Sequence, residues 1–432
     1  MPTSPPFPES IEILRIAPGG DGIGRLSNGE AIFVRSTARG DRIEIQSARR
    51  QQGVLIADRF QFLEEGPDRR NPHCPYFEQC GGCDFMHLTP DAQRREKLAI
   101  LDDALSRVGG DPQRPSPVTL VHGTDKFAYR SRVRLHVDQQ GSVGYHSERS
   151  NRLVPIAQCV IAKPLINDTI ARLCALNDSD KKRLSFCSEI EIRATVNEPT
   201  LAVRLSPRKG VSLRADVYRP LFQNNALVVI AGTSEDNELT QSMKVTDDIA
   251  LNVPVGAFSQ VYPEINQKLI VTIVSDAVLR QHKTFLDAYA GAGNFAIPLL
   301  KAGLSGEAVD QSSAGILAAR STARKLGLPF TGFSIGNAKN ILEQFVKNKR
   351  TFDYLVLDPP RKGAKDVLET CLRLRPRTIA LIGCDPVAFA RDLGQLVKCG
   401  GIIEKLSLFD MFPETHHFES LAIVDITNSA LS

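Results

Sequence analysis

The chain has 432 residues, 42% of them hydrophobic, and a formal net charge of +4. That length calls for two or three domains, since single cores stop growing at about 250–300 residues. That charge is weak evidence for nucleic acid and argues only against a strongly acidic partner, and no run approaches the ~20 uncharged apolar residues of a membrane span. The opening MPTSPPFPES has neither a basic nor an apolar leader region, so a cytoplasmic protein is expected.

In chain order, residues 11–64 hold five short β-like segments, IEILRIA, GIGRLS, EAIFVRS, DRIEIQSA and GVLIADRFQFLE, broken by PGGDG, SNG and ARGD. Five strands in this length suggest a small barrel of the oligonucleotide-binding type. Residues 1–70 contain ten Arg, no Lys and ten acids, so this segment is uncharged overall. Its arginines suit phosphate contact, and a solvated Arg/Glu surface fits the composition equally.

Residues 67–89 form a Cys/Gly/Pro-rich loop in which Cys74, Cys80 and Cys83 fall within ten residues. In a reducing compartment such a cluster reads first as a metal site. DAQRREKLAILDDALSRVGG then reads as a helix. FAYRSRVRLHVD, at 127–138, alternates as a strand, with Arg130, Arg132, Arg134 and His136 on one face. An RNA backbone would cover that face, with Arg149 and Arg152 nearby; acids on a neighbouring strand would do so too.

From about residue 259 the pattern becomes alternating β and α. TFLDAYAGAGNF is a strand, a Gly-rich turn and the start of a helix. A second strand ends at Asp310, a third apolar strand at Asp358 in Asp358-Pro359-Pro360-Arg361, and another releases Cys384 at its tip. GIIEKLSLFDMFPETHHFESLAIVDI closes the chain as two strands around a loop. This is a doubly wound sheet with an antiparallel end strand, which binds ligands at the carboxyl ends of its strands. Asp287, Gly291, Asp310, Asp358 and Cys384 all fall there.

The Gly-rich turn lets a ligand approach the backbone, and Asp310 can accept ribose hydroxyls. The turn lacks a full GxGxxG, and an Asp-Pro-Pro tip is common beside methyl donors, so the pattern favours S-adenosylmethionine over a nicotinamide. A cysteine at a strand tip beside a methyl donor is a candidate nucleophile, and Glu419 a candidate base. Uracil C5 needs such help: thiolate addition at C6 makes C5 nucleophilic, and a base must then remove the C5 proton. His416 and His417 are adjacent and diverge in an extended chain, so they are not a shared metal pair.

These residues resemble the RNA uracil-5-methyltransferases, in particular the branch that acts on large-subunit ribosomal RNA and carries an iron–sulfur cluster. The resemblance covers nearly the whole chain. It rests on the small barrel (like a TRAM domain), the cysteine loop, YRSRVRLHV, DPPRKG at 358–363 and LFDMFPETHHFE, where Asp410, Phe412, Pro413, Thr415, His417 and Glu419 match the family signature. It implies an α/β fold: a Rossmann-like class I methyltransferase domain at 259–432, a TRAM-like barrel at 1–66, and a central mixed domain at 67–258 carrying the cluster. It implies Gln260, Tyr289, Asn294, Asp310, Asn337 and Asp358 at the donor, Cys384 as nucleophile and Glu419 as base. It also implies 23S rRNA as substrate, no membrane and no obligate protein partner.

Cys74, Cys80 and Cys83, joined by distant Cys159, make four thiols. Spacing does not separate zinc from a 4Fe–4S cluster; the resemblance implies the latter. His73 and His87 are the lesser ligand candidates. The same catalytic residues would serve a tRNA uridine methyltransferase, and a non-catalytic iron–sulfur RNA-binding protein is the reading from another class. A cytosine-5 enzyme would carry a further Cys after the Asp-Pro-Pro proline, which is missing here. The chain departs from the family pattern at Gly383 and Asp385 around the nucleophile, at Ala388, at Tyr262 and at Glu414.

Overall fold

A computed structural model of the chain describes residues 7–195, 200–222, 225–329 and 332–426. They form two compact units. The first runs to Asp103 and takes in Ser147–Asn151 and Phe412–His417; the second holds the rest. Among the described residues no helix is long and apolar enough to cross a membrane.

In the first unit six strands form one sheet, in the order Glu9–Glu12, Arg42–Gln51, Val54–Glu64, Ala31–Val34, Gly22–Arg25 and Arg15–Ile16. IEILRIA is therefore two strands, one at each edge. Between them, Ile13 N–H bonds Asp41 O and Leu14 N–H bonds Ile23 O, both at 2.9 Å. Two edges only two residues apart in the chain make the sheet barrel-like, since closure is how such a fold hides its edges. Alternation decides what lies inside: Ile11, Ile13, Ile32, Val34, Ile43, Ile45 and Leu55 make the core.

The second unit contains a six-stranded sheet, a hairpin and an eight-stranded sheet. In the six-stranded sheet, Arg132–Val137 pairs antiparallel with Cys187–Ala194. Tyr129, Ser131, Val133, Leu135 and Val137 are buried, as their alternation requires.

The strands of the large sheet are β1 (Thr119–Val121), β2 (Thr284–Asp287), β3 (Ser305–Asp310), β4 (Gly332–Ile335), β5 (Tyr354–Leu357), β6 (Thr378–Gly383), β7 (Ile402–Phe409) and β8 (Glu419–Asp425). Their order is β4-β3-β2-β5-β6-β8-β7-β1. β2 to β6 are mutually parallel, and β8 is antiparallel to both β6 and β7. Helices cover the faces, so β5 and β6 are buried on both sides and read as the apolar runs YLVL and TIALI. β1 is an edge strand that sequence pattern does not reveal, because three residues carry no periodicity. The strand order reverses between β2 and β5, which makes a crevice at the carboxyl ends of the sheet.

Candidate active site

β2 delivers Asp287 to that crevice, fully buried. Its Oδ2 accepts the N–H of Ala296 at 3.1 Å, while its Oδ1 has no partner among the described residues. Burial pushes its carboxyl up to about 8, with Asp358 and then Asp310 adding to the rise. In the turn that follows, Gly291 and Gly293 both have positive φ, +53° and +92°. A Cβ on Gly293 would stand 2.7 Å from Ile297 Cγ1, so that glycine serves packing. A Cβ on Gly291 would meet nothing within 4 Å, so that glycine leaves open space beside its backbone.

Asp310, at the tip of β3, is oriented by two backbone donors: Gly291 N–H to Oδ2 at 2.9 Å and Ser312 N–H to Oδ1 at 2.7 Å. Each oxygen keeps a lone pair for a ribose hydroxyl. The Asn294 amide is already engaged, exchanging two 2.9 Å hydrogen bonds with Asn266 on the helix Pro263–Leu279. Asn266 was not among the residues expected from sequence; only the fold brings it across 28 residues. Gln260 is half-buried in the segment before that helix, next to Ser259, whose Oγ is buried without a hydrogen-bond partner among the described residues. Tyr289 is half-buried, its phenol raised by burial. Asn337 is exposed and caps no N–H of the helix Ala338–Lys347.

β6 and β8 place the reactive pair. Gly383 at the end of β6 pairs with Ser420 near the start of β8. Cys384 and Glu419 are the next residues outward on those two antiparallel strands, so they are cross-strand neighbours. Glu419 is buried and its Oε2 has no partner among the described residues. Burial, then the nearby Asp358, raises its carboxyl well above the ordinary range, with Arg361 opposing. Asp358 is raised to about 7 by burial. Cys384 is half-buried and pushed up to about 12 by burial, then by Glu419 and Asp358, against Arg361. Three acids and a thiol crowded together favour their neutral forms. A cationic ligand such as a sulfonium would reverse that preference.

A small cleft is lined by Pro360, Arg361, Gly383, Cys384, Asp385 and Phe389 among others. Arg361 was quoted in the sequence motif but given no role there. The departures from the family pattern are accommodated. Asp385 caps the helix Pro386–Lys398 by accepting the Ala388 N–H at 2.8 Å, which an Asn would also do. Tyr262 is buried against Tyr129 with ring centroids 4.7 Å apart, and its hydroxyl donates to Asp125 O at 2.7 Å. Glu414 is buried in the first unit, where Arg70 and Gln93 donate to its Oε2.

The arginine face is not bare. Glu191 and Glu189 stand directly opposite Arg134 and His136 on the neighbouring strand. Glu191 pairs with Arg132 at 3.9 Å and Arg134 at 3.4 Å, and Arg132 lies over the Phe258 ring at 4.7 Å. Acids on the adjacent strand, one of the two covers the sequence left open, therefore carry part of the compensation. Arg149 pairs with Asp21 at 2.7 Å in the first unit.

Cys74, Cys80 and Cys83 are half-buried in the first unit, with the Gly82 N–H donating to Cys80 Sγ at 3.4 Å; Cys159 belongs to the second. Among the described residues no three His, Cys, Asp or Glu side chains come together as a set that could hold a metal ion. The donor chemistry of the four thiols suits iron–sulfur or zinc. His87 is buried on Thr37 O at 3.1 Å and pushed down to about 4 by burial, which makes it part of the core.

The family model described as tRNA (Uracil-5-)-methyltransferase matches residues 337–425, the stretch from Asn337 through Asp358, Cys384 and Glu419. A Chromohalobacter salexigens protein named 23S rRNA (uracil(1939)-C(5))-methyltransferase RlmD is 29% identical over 96% of this chain and 89% of its own length. A Streptomyces avermitilis protein described as an uncharacterized RNA methyltransferase is 30% identical over 96% of this chain and 97% of its own. Among solved structures, the Pyrococcus abyssi tRNA (uracil-54, C5)-methyltransferase in complex with S-adenosyl-L-homocysteine matches with a TM-score of 0.73 at 21% identity. That match covers 96% of this chain and all of the other, and it shares the fold described above.

Proposed function

From the premise that the chain belongs to the RNA uracil-5-methyltransferase family, we propose that it uses Cys384 and Glu419 to methylate a uridine of 23S rRNA. The enzyme is an S-adenosylmethionine-dependent RNA methyltransferase acting on uracil C5. The single observation behind the catalytic pair is the register of β6 and β8, which makes Cys384 and Glu419 neighbours at the carboxyl edge of the sheet.

Cys384 releases its proton to solvent and its sulfur adds to C6, breaking the C5–C6 π bond and leaving an enolate at C5–C4–O4. C5 attacks the donor methyl carbon, the methyl–sulfur bond breaks, and S-adenosylhomocysteine is the leaving group. Glu419 takes the C5 proton; the electron pair restores the C5–C6 double bond and expels the thiolate. A carboxyl raised by burial is well matched to that proton, because its basicity is above that of an exposed carboxylate. Gly291 and Asp310, with Gln260, Tyr289, Asn294, Asn337 and Asp358, would hold the donor, whose positive charge would offset the acids that hold the thiol neutral.

The 23S rRNA assignment leans on relatives matched over nearly their whole length, against a family description that names tRNA. Mapping 5-methyluridine in both RNAs from a deletion strain decides between them. A 4Fe–4S cluster on Cys74, Cys80, Cys83 and Cys159 is the ligand set we assign. It is supported by four thiols and the N–H···S bond at Cys80. Methyl transfer moves no electrons through it, so its part is structural. Iron and acid-labile sulfide in anaerobically purified protein would support it, and zinc in their place would overturn it.

Cys384→Ala tests the mechanism. It should abolish methylation and the covalent adduct with 5-fluorouridine RNA; an adduct that survives would sink the assignment.

A further inference from the structure

Arg391 and Asp392 lie on the helix Pro386–Lys398, which starts just after Cys384. Asp392 is almost fully buried, at 1% exposure. Its Oδ1 accepts from Nε and Nη2 of Arg391 at 2.9 and 2.7 Å, and its Oδ2 accepts the Ala364 N–H at 2.5 Å. Arg391 Nη2 also donates to Lys362 O at 2.8 Å. Between those two contacts Gly363 has φ +83°, and a Cβ there would sit 2.3 Å from Asp392 Oδ2 and 2.4 Å from Arg391 Nη2. Three consecutive backbone residues, 362 to 364, are thus gripped by one ion pair.

Burying a carboxylate merely to pin an exposed turn is expensive, and an apolar contact would serve packing better. The residue just before the gripped segment is Arg361. It lines the cleft with Cys384, Asp392 and Gly363. Its guanidinium makes no hydrogen bond among the described residues, so its place depends on the backbone that carries it. The charged groups facing Cys384 are Asp358 at the end of β5, Glu419 at the start of β8, Arg361 after β5, and Asp385 on the nucleophile's own segment. Arg361 is the cation of that set, and its charge works against the rise at both Cys384 and Glu419.

We propose that Arg391 and Asp392 are positioning residues for Arg361: they fix the backbone of 362–364 so that its guanidinium stays at the cleft facing Cys384 and Glu419. The inference rests on the reading of Cys384 as nucleophile. The ion pair clamps the backbone of the turn, and Asp392 stands beside the cleft that holds the thiol. It acts through Arg361 and touches no reacting atom.

The test is a cycle of Asp392→Ala, Arg361→Ala and the double variant in the full-length protein. Alkylation of Cys384 by iodoacetamide is followed by peptide mass spectrometry across pH, and single-turnover methylation is measured beside it. Asp392→Ala and Arg361→Ala should each slow alkylation roughly three- to tenfold at fixed pH, shifting the profile upward. The double variant should be no slower than Arg361→Ala alone, and kcat should fall with the KM for the donor unchanged. Wild-type alkylation in Asp392→Ala, or multiplied effects in the double variant, would overturn the proposal. If Asp392→Ala shows no cooperative melting, Asp392→Asn and Arg391→Met carry the same test, since Asn can still accept the Ala364 N–H while the ion pair is lost. Alkylation needs neither RNA nor donor, so it reads the clamp even if Cys384→Ala keeps its 5-fluorouridine adduct and the nucleophile assignment fails.

Discussion

Replacing Asp287 with Asn should stabilise the ligand-free protein, and the gain should grow with pH. The carboxyl is fully buried, one oxygen accepts the Ala296 N–H, the other has no hydrogen-bond partner among the described residues, and burial raises its value from 3.8 to about 8. A carboxyl whose folded value lies above its unfolded one contributes stability that is complete below pH 3.8 and is lost as pH rises through 8. Across that window the folded protein holds a proton that the unfolded chain has released. Each pH unit of such a window costs about 1.4 kcal/mol, so roughly four units set a ceiling of about 5 kcal/mol. Asn does not titrate and can keep the Ala296 hydrogen bond through its Oδ1. Urea unfolding of both proteins at pH 5, 7 and 8.5 measures the difference. Asp287→Asn should exceed the wild type by a few kcal/mol more at pH 8.5 than at pH 5, and added S-adenosylmethionine should narrow the gap. An advantage that is flat with pH would refute the reasoning, because packing or hydrogen bonding, and not ionisation, would then set it.

Glu419→Gln should lower turnover by about 10²–10⁴-fold, the usual share of a general base, and leave methylated RNA bound to Cys384 on a denaturing gel; full turnover without that adduct would remove Glu419 from the mechanism. Gly293→Ala should cost about 1–2 kcal/mol from its left-handed backbone, with more from the contact at Ile297, read as a lower denaturant midpoint. Gly291→Ala, with open space around its Cβ, should cost less stability and instead raise the KM for the donor several-fold. Asn266→Ala should release the Asn294 amide and weaken donor binding by roughly tenfold in calorimetry, from loss of two amide hydrogen bonds; unchanged affinity would make that pair purely structural.

Much of this protein is legible along the chain. Alternation at Ile43 and Ile45 puts a barrel core on one face of a strand, and the uninterrupted YLVL and TIALI announce strands buried on both sides. Because such runs end where the sheet meets solvent, Asp310, Asp358 and Cys384 could be placed at strand tips from sequence. These are local signals, set by the period of the backbone. Tertiary structure decided which of those tips face each other. Cys384 and Glu419 lie far apart in sequence and become neighbours only through the register Gly383↔Ser420. Asn266 meets Asn294, and Glu191 meets Arg132 and Arg134, by pairings between distant segments that no local period encodes. The same holds for Asp392, which reads in sequence as an ordinary helix acid. Its burial and its grip on Ala364 arise because a helix and a turn from different strands pack together. Residue types and periodicity therefore determined which groups are at hand and on which edge. The ionisation of each acid and the partner of each thiol were left to the burial and charge that only the assembled sheet creates.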